Sequence, residues 1–268
     1  MTSTRWSVLL GGSLLASLPT QAHGKTAIGP SDRLMAAPST QLSLELGAAL
    51  GQAVPFSIAP ADRAWLALSG RWQIADPVHL RLSYQGLAAR WPSGSTAIGS
   101  GDLRLGTRAR AWQGGRDQAW SAGLDWEVKL PNADDTRGLG TDETDVSTRA
   151  WLAWTDQRLA LQLDGGLAIL GDPLQDSAQD AAALLGLRGA LDLAPSSARL
   201  DSSLDARLDA RLPSPRNPAE VELALGLGAG PRSSRVRGRL EGTVGLTPAA
   251  PDLGLRLSLA LVPLPDGA

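Results

Sequence analysis

The chain contains no cysteine, which excludes disulfide bonds and thiolate chemistry. Histidine is almost as rare, with His23 and His79 as the two examples in 268 residues. A serine hydrolase pairs its nucleophile with a histidine that a third group orients, and the sequence supplies neither histidine with such a partner. We therefore expect no catalytic residue, and an outer-membrane hydrolase is the weakest of the alternatives considered below.

The chain also lacks the run of about twenty apolar residues that crosses a membrane as a helix. The apolar stretch from Trp6 to Leu18 is too short and is ended by Pro19. It is followed by Thr20-Gln21-Ala22, a small-x-small cleavage pattern, so we expect a signal peptide over 1–22 and export of the chain. If the mature protein spans a membrane, it must do so with strands.

Aromatic residues are few, at 4% of the chain, and none follows Trp154. An excess of charge of one sign is also missing, because 25 basic residues stand against 27 acidic ones. Nothing in this balance favours a nucleic acid as a partner, since basic arms and basic-aromatic surfaces are absent.

What the sequence does contain is alternation, most clearly over 198–212, where apolar and charged residues alternate with a single interruption at Ser202. A strand sends successive side chains to opposite faces, so one face would be apolar and the other charged. A helix is the competing interpretation, because leucine also recurs here at every fourth position.

Similar alternating runs recur along the chain and are separated by clusters of Gly, Pro, Asp and Ser. The predicted strands are 40–51, 63–75, 78–90, 101–112, 118–130, 144–155, 157–170, 181–193, 198–212, 219–229, 234–246 and 252–263. An even number of such strands predicts an all-β fold, a closed antiparallel up-and-down barrel of about twelve strands that spans the outer membrane of a Gram-negative cell.

The predicted connections alternate in length, as they do between the two sides of an outer-membrane barrel. Longer ones lie near 52–62, 91–100, 131–143, 171–180, 213–218 and 247–251. Tight turns are expected at Asp76-Pro77, Gly114-Gly115, Asp156, Pro195-Ser196 and Gly230-Pro231. The domain organisation expected is a periplasmic segment 23–39, a barrel 40–263 and a tail 264–268, and a soluble all-β or helical domain is the alternative.

The two faces of the predicted strands have different expected roles. On the apolar face, Trp72, Trp120 and Trp154 lie at one end of their strands and would form a girdle at the membrane boundary, although core tryptophans of a sandwich would read alike. The opposite face would line the lumen, with the candidates Arg71, Arg81, Arg104, Arg108, Arg110, Asp125, Glu127, Lys129, Arg149, Arg199, Asp201, Asp205, Arg207, Asp209, Arg211, Arg235, Arg237 and Arg239.

Charge pairs are expected across this lumenal face. A symmetric turn at Gly114-Gly115 would place Asp102 opposite Lys129 and Arg104 opposite Glu127, and Glu220 and Glu222 would neighbour the run Arg235–Arg239. Such pairs either brace a polar wall or form a constriction that selects solutes by charge. The acidic loop 131–143 does not have the spacing of an EF-hand, so we expect no metal site and no cofactor.

Three short motifs occur in order in the middle of the chain, namely GSGDLRLGTRAR (99–110), LDWEVKLP (124–131) and GLGTDETDV (138–146). In these motifs the chain resembles the outer-membrane barrel family associated with the meta-cleavage pathway of phenol degradation. The resemblance implies a transporter without catalytic residues, whose solutes are small and hydrophobic or aromatic.

The function expected is that of an outer-membrane channel, integral to the lipid bilayer, through which small molecules pass passively along a narrow, charge-lined lumen. Twelve strands enclose a narrower lumen than the sixteen to eighteen strands of porins. A structural or partner-binding barrel without solute flux is the main alternative.

Overall fold

The computed structural model describes residues 40–52, 61–75, 77–91, 96–116, 119–133, 139, 144–171, 179–194, 200–214, 218–231 and 235–261. The predicted signal peptide (1–22), the predicted segment 23–39, the tail 264–268 and Arg199 lie outside these residues. The described residues contain no helix that is long and apolar enough to cross a membrane.

The described residues form strands, each with the period-two pattern that the sequence shows. Their bounds are β1 (Thr40–Gln52), β2 (Ala61–Ala75), β3 (Val78–Trp91), β4 (Ala97–Gly99), β5 (Leu103–Gly114), β6 (Trp120–Leu130), β7 (Asp145–Thr155), β8 (Leu159–Gly171), β9 (Gln179–Asp192), β10 (Leu200–Arg211), β11 (Glu220–Pro231), β12 (Val236–Gly245) and β13 (Leu253–Leu261).

Each long strand pairs antiparallel with its neighbours in the chain, and the sheet closes where β1 pairs with β13. At this closure Leu46 lies opposite Leu257, and Glu45 lies opposite Ser258, so the two faces stay in phase. The fold is a closed twelve-stranded antiparallel barrel, to which β4 adds a short strand paired with the end of β3. This confirms the fold class predicted from the alternation, including strand rather than helix for 198–212.

The two faces of the wall differ sharply in composition. Leucines dominate the outer face and are exposed, as at Leu163 and Leu167, which are 59% and 65% accessible. Small residues such as Ala153, Ala160 and Ala182 are buried on the inner face, between the charged side chains. The interior therefore has room for long polar side chains, and the apolar surface points outward.

Four details of the prediction are wrong. The connection 91–100 contains β4, which pairs with residues 88–90. The expected turn residues Gly114, Gly230 and Pro231 belong to strands, because a glycine without a side chain or a proline at a strand end does not break the ladder. Among the described glycines, Gly115 is the one with a positive φ, 85°, so the turn starts one residue later than expected and the β5–β6 connection runs from 115 to 119.

The longer connection and a bulge between Arg110 and Trp112 shift the β5–β6 register. Arg104 therefore lies opposite Lys129, in place of Asp102, and Glu127 lies opposite Gly106. The expected neighbourhood of Glu220 and Glu222 with Arg235–Arg239 is also wrong. These glutamates lie at the other end of the β11–β12 hairpin, where Glu222 is opposite Gly245.

Candidate functional site: the charged inner wall

The inner wall is built by the strand parity that carries the charged residues. Contacts between strands place the described lumenal candidates there: Arg71, Arg81, Arg104, Arg108, Asp125, Glu127, Lys129, Arg149, Asp201, Asp205, Arg207, Asp209, Arg211, Arg237 and Arg239. Arg110 shares the parity of Arg108 on β5, and Arg235 precedes β12 and is exposed. Whether solutes pass along these residues stays a prediction.

Some of these residues form ordinary pairs with a neighbouring strand. Arg104 Nη1 lies 3.0 Å from Glu127 Oε1, a diagonal contact that survives the register shift. Lys129, which is buried, lies 3.0 Å from Asp145 on β7. Next to it on β7, Arg149 donates a hydrogen bond to Asp164 on β8 at 2.8 Å. Each of these pairs links two adjacent strands and braces the wall.

A larger group, the ion-pair network, connects β10 to β13 and β1. It comprises Arg207, Asp209, Glu222, Arg239, Glu241, Arg256 and Glu45. At its centre, the carboxylate of Glu241 is 2.6 Å from Arg239, 3.5 Å from Arg256 and 3.7 Å from Arg207. Each arginine also has a second carboxylate, so the charges within this network compensate one another.

On the other side of the barrel, Arg71, Arg81 and Arg108 form the three-arginine cluster around a single carboxylate, Asp125. Arg108 Nη1 lies 3.4 Å from Asp125 Oδ2, and Arg81 Nη2 lies 3.9 Å from the same oxygen. Arg71 lies directly opposite Arg81 in the β2–β3 register. No carboxylate among the described residues lies within 4.0 Å of Arg71.

Long side chains also bridge strands that are not neighbours, which narrows the interior. Arg108 on β5 donates a hydrogen bond to Gln162 on β8 at 2.8 Å, across the width of β6 and β7. Arg149 on β7 reaches Asp209 on β10 at 3.6 Å. These two contacts lie inside the barrel and occupy part of its interior at this level.

Two tryptophans that we did not predict as interior residues share this face. Trp65 donates from Nε1 to Glu45 at 2.8 Å, and Trp151 is 4% exposed, with its ring centroid 4.2 Å from the Arg108 guanidinium carbon. The signal was available, because Trp65 has the parity of Arg63 and Trp151 has the parity of Arg149. The sequence analysis assigned neither of these two tryptophans to a face.

The proposed girdle residues lie on the outer parity near the strand ends. Trp120 begins β6 and lies opposite Trp154 of β7, while Trp72 lies near the end of β2 and packs over Gly70. Trp112, which the sequence analysis did not include, is 51% exposed and lies near the end of β5, at the same end of the barrel as these residues. Their location at a membrane boundary stays a prediction.

The remaining candidates concern catalysis and metals. His79 lies opposite Arg108 and Gln73 in the sheet, at the end of β3 next to a short turn. The acidic residues Asp134, Asp135, Asp142 and Glu143 of the loop 131–143 lie outside the described residues, and within the described part no group of three metal-binding side chains occurs. Just before β5, burial raises the pKa of the Asp102 carboxyl, against the opposing effect of Lys129.

Comparison with solved structures supports the fold. The chain is similar to the COG4313 outer membrane channel from Pseudomonas putida F1, with a TM-score of 0.60 and 12% identity over 84% of this chain and 95% of that one. The beta domain of the Bordetella autotransporter BrkA matches 83% of this chain and 99% of its own at 15% identity, with a TM-score of 0.45 that is too low to carry an argument. No protein-family model and no curated protein matches the sequence.

At this level the likeness is one of fold, the fold of outer-membrane barrels. The first of these two structures is described as an outer membrane channel. The family resemblance seen in the sequence motifs is supported as far as an outer-membrane β-barrel.

Proposed function

We propose that this protein is an outer-membrane channel through which small molecules diffuse passively along the charged inner wall. The observation that carries the proposal is the radial segregation of side chains on the same strands. On β13, for example, Leu255, Leu257 and Leu259 are exposed outside, while Arg256 between them forms ion pairs inside.

The outer surface supports a location in lipid. Soluble proteins rarely expose a contiguous apolar patch of more than a few hundred Å². Here exposed leucines occur on each long strand described, from Leu44 on β1 to Leu257 on β13, except β5, where Trp112 is the exposed large apolar residue. Closure between β1 and β13 satisfies the backbone groups that an open sheet would leave unpaired in lipid.

The inner surface supports a path for solutes. Ionised side chains need water or a partner, and a barrel interior rich in arginine and carboxylates is compatible with a hydrated lumen. The side-chain contacts from Arg108 to Gln162 and from Arg149 to Asp209 cross part of the interior and favour solutes of small cross-section. The sequence resemblance extends the proposal to hydrophobic or aromatic molecules as the solutes.

The test begins with the full-length protein, expressed with its own leader and extracted from the outer-membrane fraction. A folded barrel migrates faster on a gel before heating than after, which verifies the sample. Inserted into planar bilayers, this sample should give discrete conductance steps, and the same sample after boiling should give none. A folded sample that gives no steps would contradict a channel and favour a barrel without flux.

A further inference from the structure

On the side of the inner wall that carries the three-arginine cluster, two arginines face each other, an arrangement that does not brace neighbouring strands. Arg71 and Arg81 are direct partners in the β2–β3 register, on the inner face, where like charges opposite one another are destabilising. Arg108 follows on the next strand of the wall. Arg81 and Arg108 pair with Asp125, whereas no described carboxylate lies within 4.0 Å of Arg71.

The deficit of carboxylates is a property of this side of the barrel. In the described residues, the inner faces of β2, β3 and β5 carry arginines but no Asp or Glu. In the ion-pair network, by contrast, Arg207 and Arg239 each approach a carboxylate to 2.6 Å. Arg108 and Arg81 lie 3.4 and 3.9 Å from Asp125.

Buried donors without acceptors surround the same place. In the described part of the chain, Arg81 Nε and Trp151 Nε1 have no hydrogen-bond acceptor, although both atoms are buried. Trp151 adjoins the cluster through its contact with Arg108. Arg188 on β9 interacts electrostatically with Arg71 and Arg108, and its Nε also lacks a hydrogen-bond acceptor, with Asp164 and Asp209 as ion-pair partners at 3.8 and 4.0 Å.

We infer that the three-arginine cluster, with Arg188 and the Trp151 N–H beside it, is a binding site for the oxyanion group of a small solute, a carboxylate or a phosphate. This inference rests on the proposed function, because it assigns a solute class to the channel. Guanidinium groups hold such oxyanions through charge-assisted, often bidentate hydrogen bonds, and an oxyanion supplies the acceptors that the donors lack. It also relieves the repulsion between Arg71 and Arg81.

The site can be tested without conduction, by isothermal titration calorimetry of the full-length protein in an uncharged detergent at low salt. Inorganic phosphate and acetate are the probes, and choline chloride is the cation control. We expect saturable binding of phosphate, acetate or both, and no saturable heat from choline. Arg71→Gln should weaken that binding about tenfold or more, which is the scale of one lost charged hydrogen bond.

Two variants separate this site from general wall structure. Arg71→Lys keeps the charge but loses the fork of donors, so it should weaken anion binding less than Arg71→Gln does. Arg256→Gln removes an arginine that is paired with Glu45 at 3.2 Å, outside the cluster, and should leave anion binding within about twofold. All variants are verified as folded by their mobility before heating.

The outcomes distinguish this inference from the channel itself. Absence of saturable heat with both anions, or undiminished affinity in folded Arg71→Gln, would overturn the oxyanion site even if the protein conducts. A phosphate affinity that is the same in folded Arg71→Gln and folded Arg256→Gln would also overturn it. Anion binding that depends on Arg71 in a protein without conductance supports the site and contradicts the channel.

Discussion

Arg71 on β2 and Arg207 on β10 lie on the same face of nearly opposite strands, yet their surroundings differ. Arg207 has carboxylates at 2.6, 3.1 and 3.7 Å, from Asp209, Glu222 and Glu241. Arg71 has an arginine opposite it and no carboxylate within 4.0 Å among the described residues. One side of the wall is held together by its charges, while the other carries the arginines that we propose as an oxyanion site.

The outer face divides in the same way. Every aromatic residue lies in the first part of the chain, up to Trp154, and the outer faces of the strands from β8 onward carry mainly leucine, with smaller residues between. Both parts nevertheless keep the same alternation and exposure. The comparison shows that the barrel pattern fixes which face a residue occupies, and that the chemistry of each face varies independently around the wall.

The largest effect is expected from breaking the ion-pair network at Glu241. This side chain is 3% exposed and is shared by three arginines, so Glu241→Gln removes a buried carboxylate from three ion pairs at once. We expect a loss of about 3–5 kcal/mol in the free energy of unfolding. The measurement is urea unfolding of the barrel, followed by tryptophan fluorescence.

The matched control is Glu220→Gln, at a partly exposed carboxylate that pairs with Arg211 at 2.7 Å. This variant should lose no more than about 1 kcal/mol. Equal losses in the two variants would show that the network around Glu241 has no special weight.

The next effect tests whether the two parts of the barrel share an outer environment despite their different composition. Leu124→Arg on β6 and Leu257→Arg on β13 each place a charge on the outer face, and each should cost about 2–4 kcal/mol near the middle of the bilayer. Their folding into vesicles of phosphatidylcholine is measured by the same unfolding assay.

Ser258→Arg is the inner-face control for Leu257→Arg, because it is the next residue and lies opposite Glu45. We expect a change below about 1 kcal/mol in this variant. If arginine costs the same on both faces, the outer surface does not lie in lipid.

The smallest effect concerns the three-arginine cluster in the absence of a ligand. Arg71→Gln removes a like charge directly opposite Arg81, so it should stabilise the barrel by about 0.2–1 kcal/mol in low-phosphate buffer. Arg71→Lys should leave the free energy of unfolding unchanged. A clear loss of stability in Arg71→Gln would mean that Arg71 is a paired, bracing residue like Arg207.

The sequence was sufficient for the fold because its alternation is nearly unbroken. Strand bounds over 78–91 and 145–155 agree with the prediction to within one residue, and parity alone assigned the face of Arg104 and Arg207. The predictions of strand register that were wrong depended on local departures from the two-residue alternation. The bulge beside Trp112 and the extension of β5 through Gly114 moved the partner of Arg104 from Glu127 to Lys129.

The sequence predicts on which face of the wall each site residue lies, but it does not predict which residues contact one another. Alternation shows that Arg71 and Arg108 point inward, but only the strand order and register bring them to one carboxylate. Contacts between non-adjacent strands, such as the hydrogen bond from Arg108 to Gln162, depend on the curvature of the closed sheet, which no local pattern encodes. The interior position of Trp151 was in the pattern and was missed.

The reversal potential in planar bilayers under a tenfold potassium chloride gradient tests most directly that solutes pass along this wall. The comparison is between the wild type and a variant in which Arg104, Arg108 and Arg110 are changed together to glutamate. With both samples folded, we predict a shift of the reversal potential toward cation selectivity in the variant, because carboxylates then replace arginines along the path. An unchanged reversal potential in conducting, folded channels would contradict the account and leave these arginines as braces of the wall.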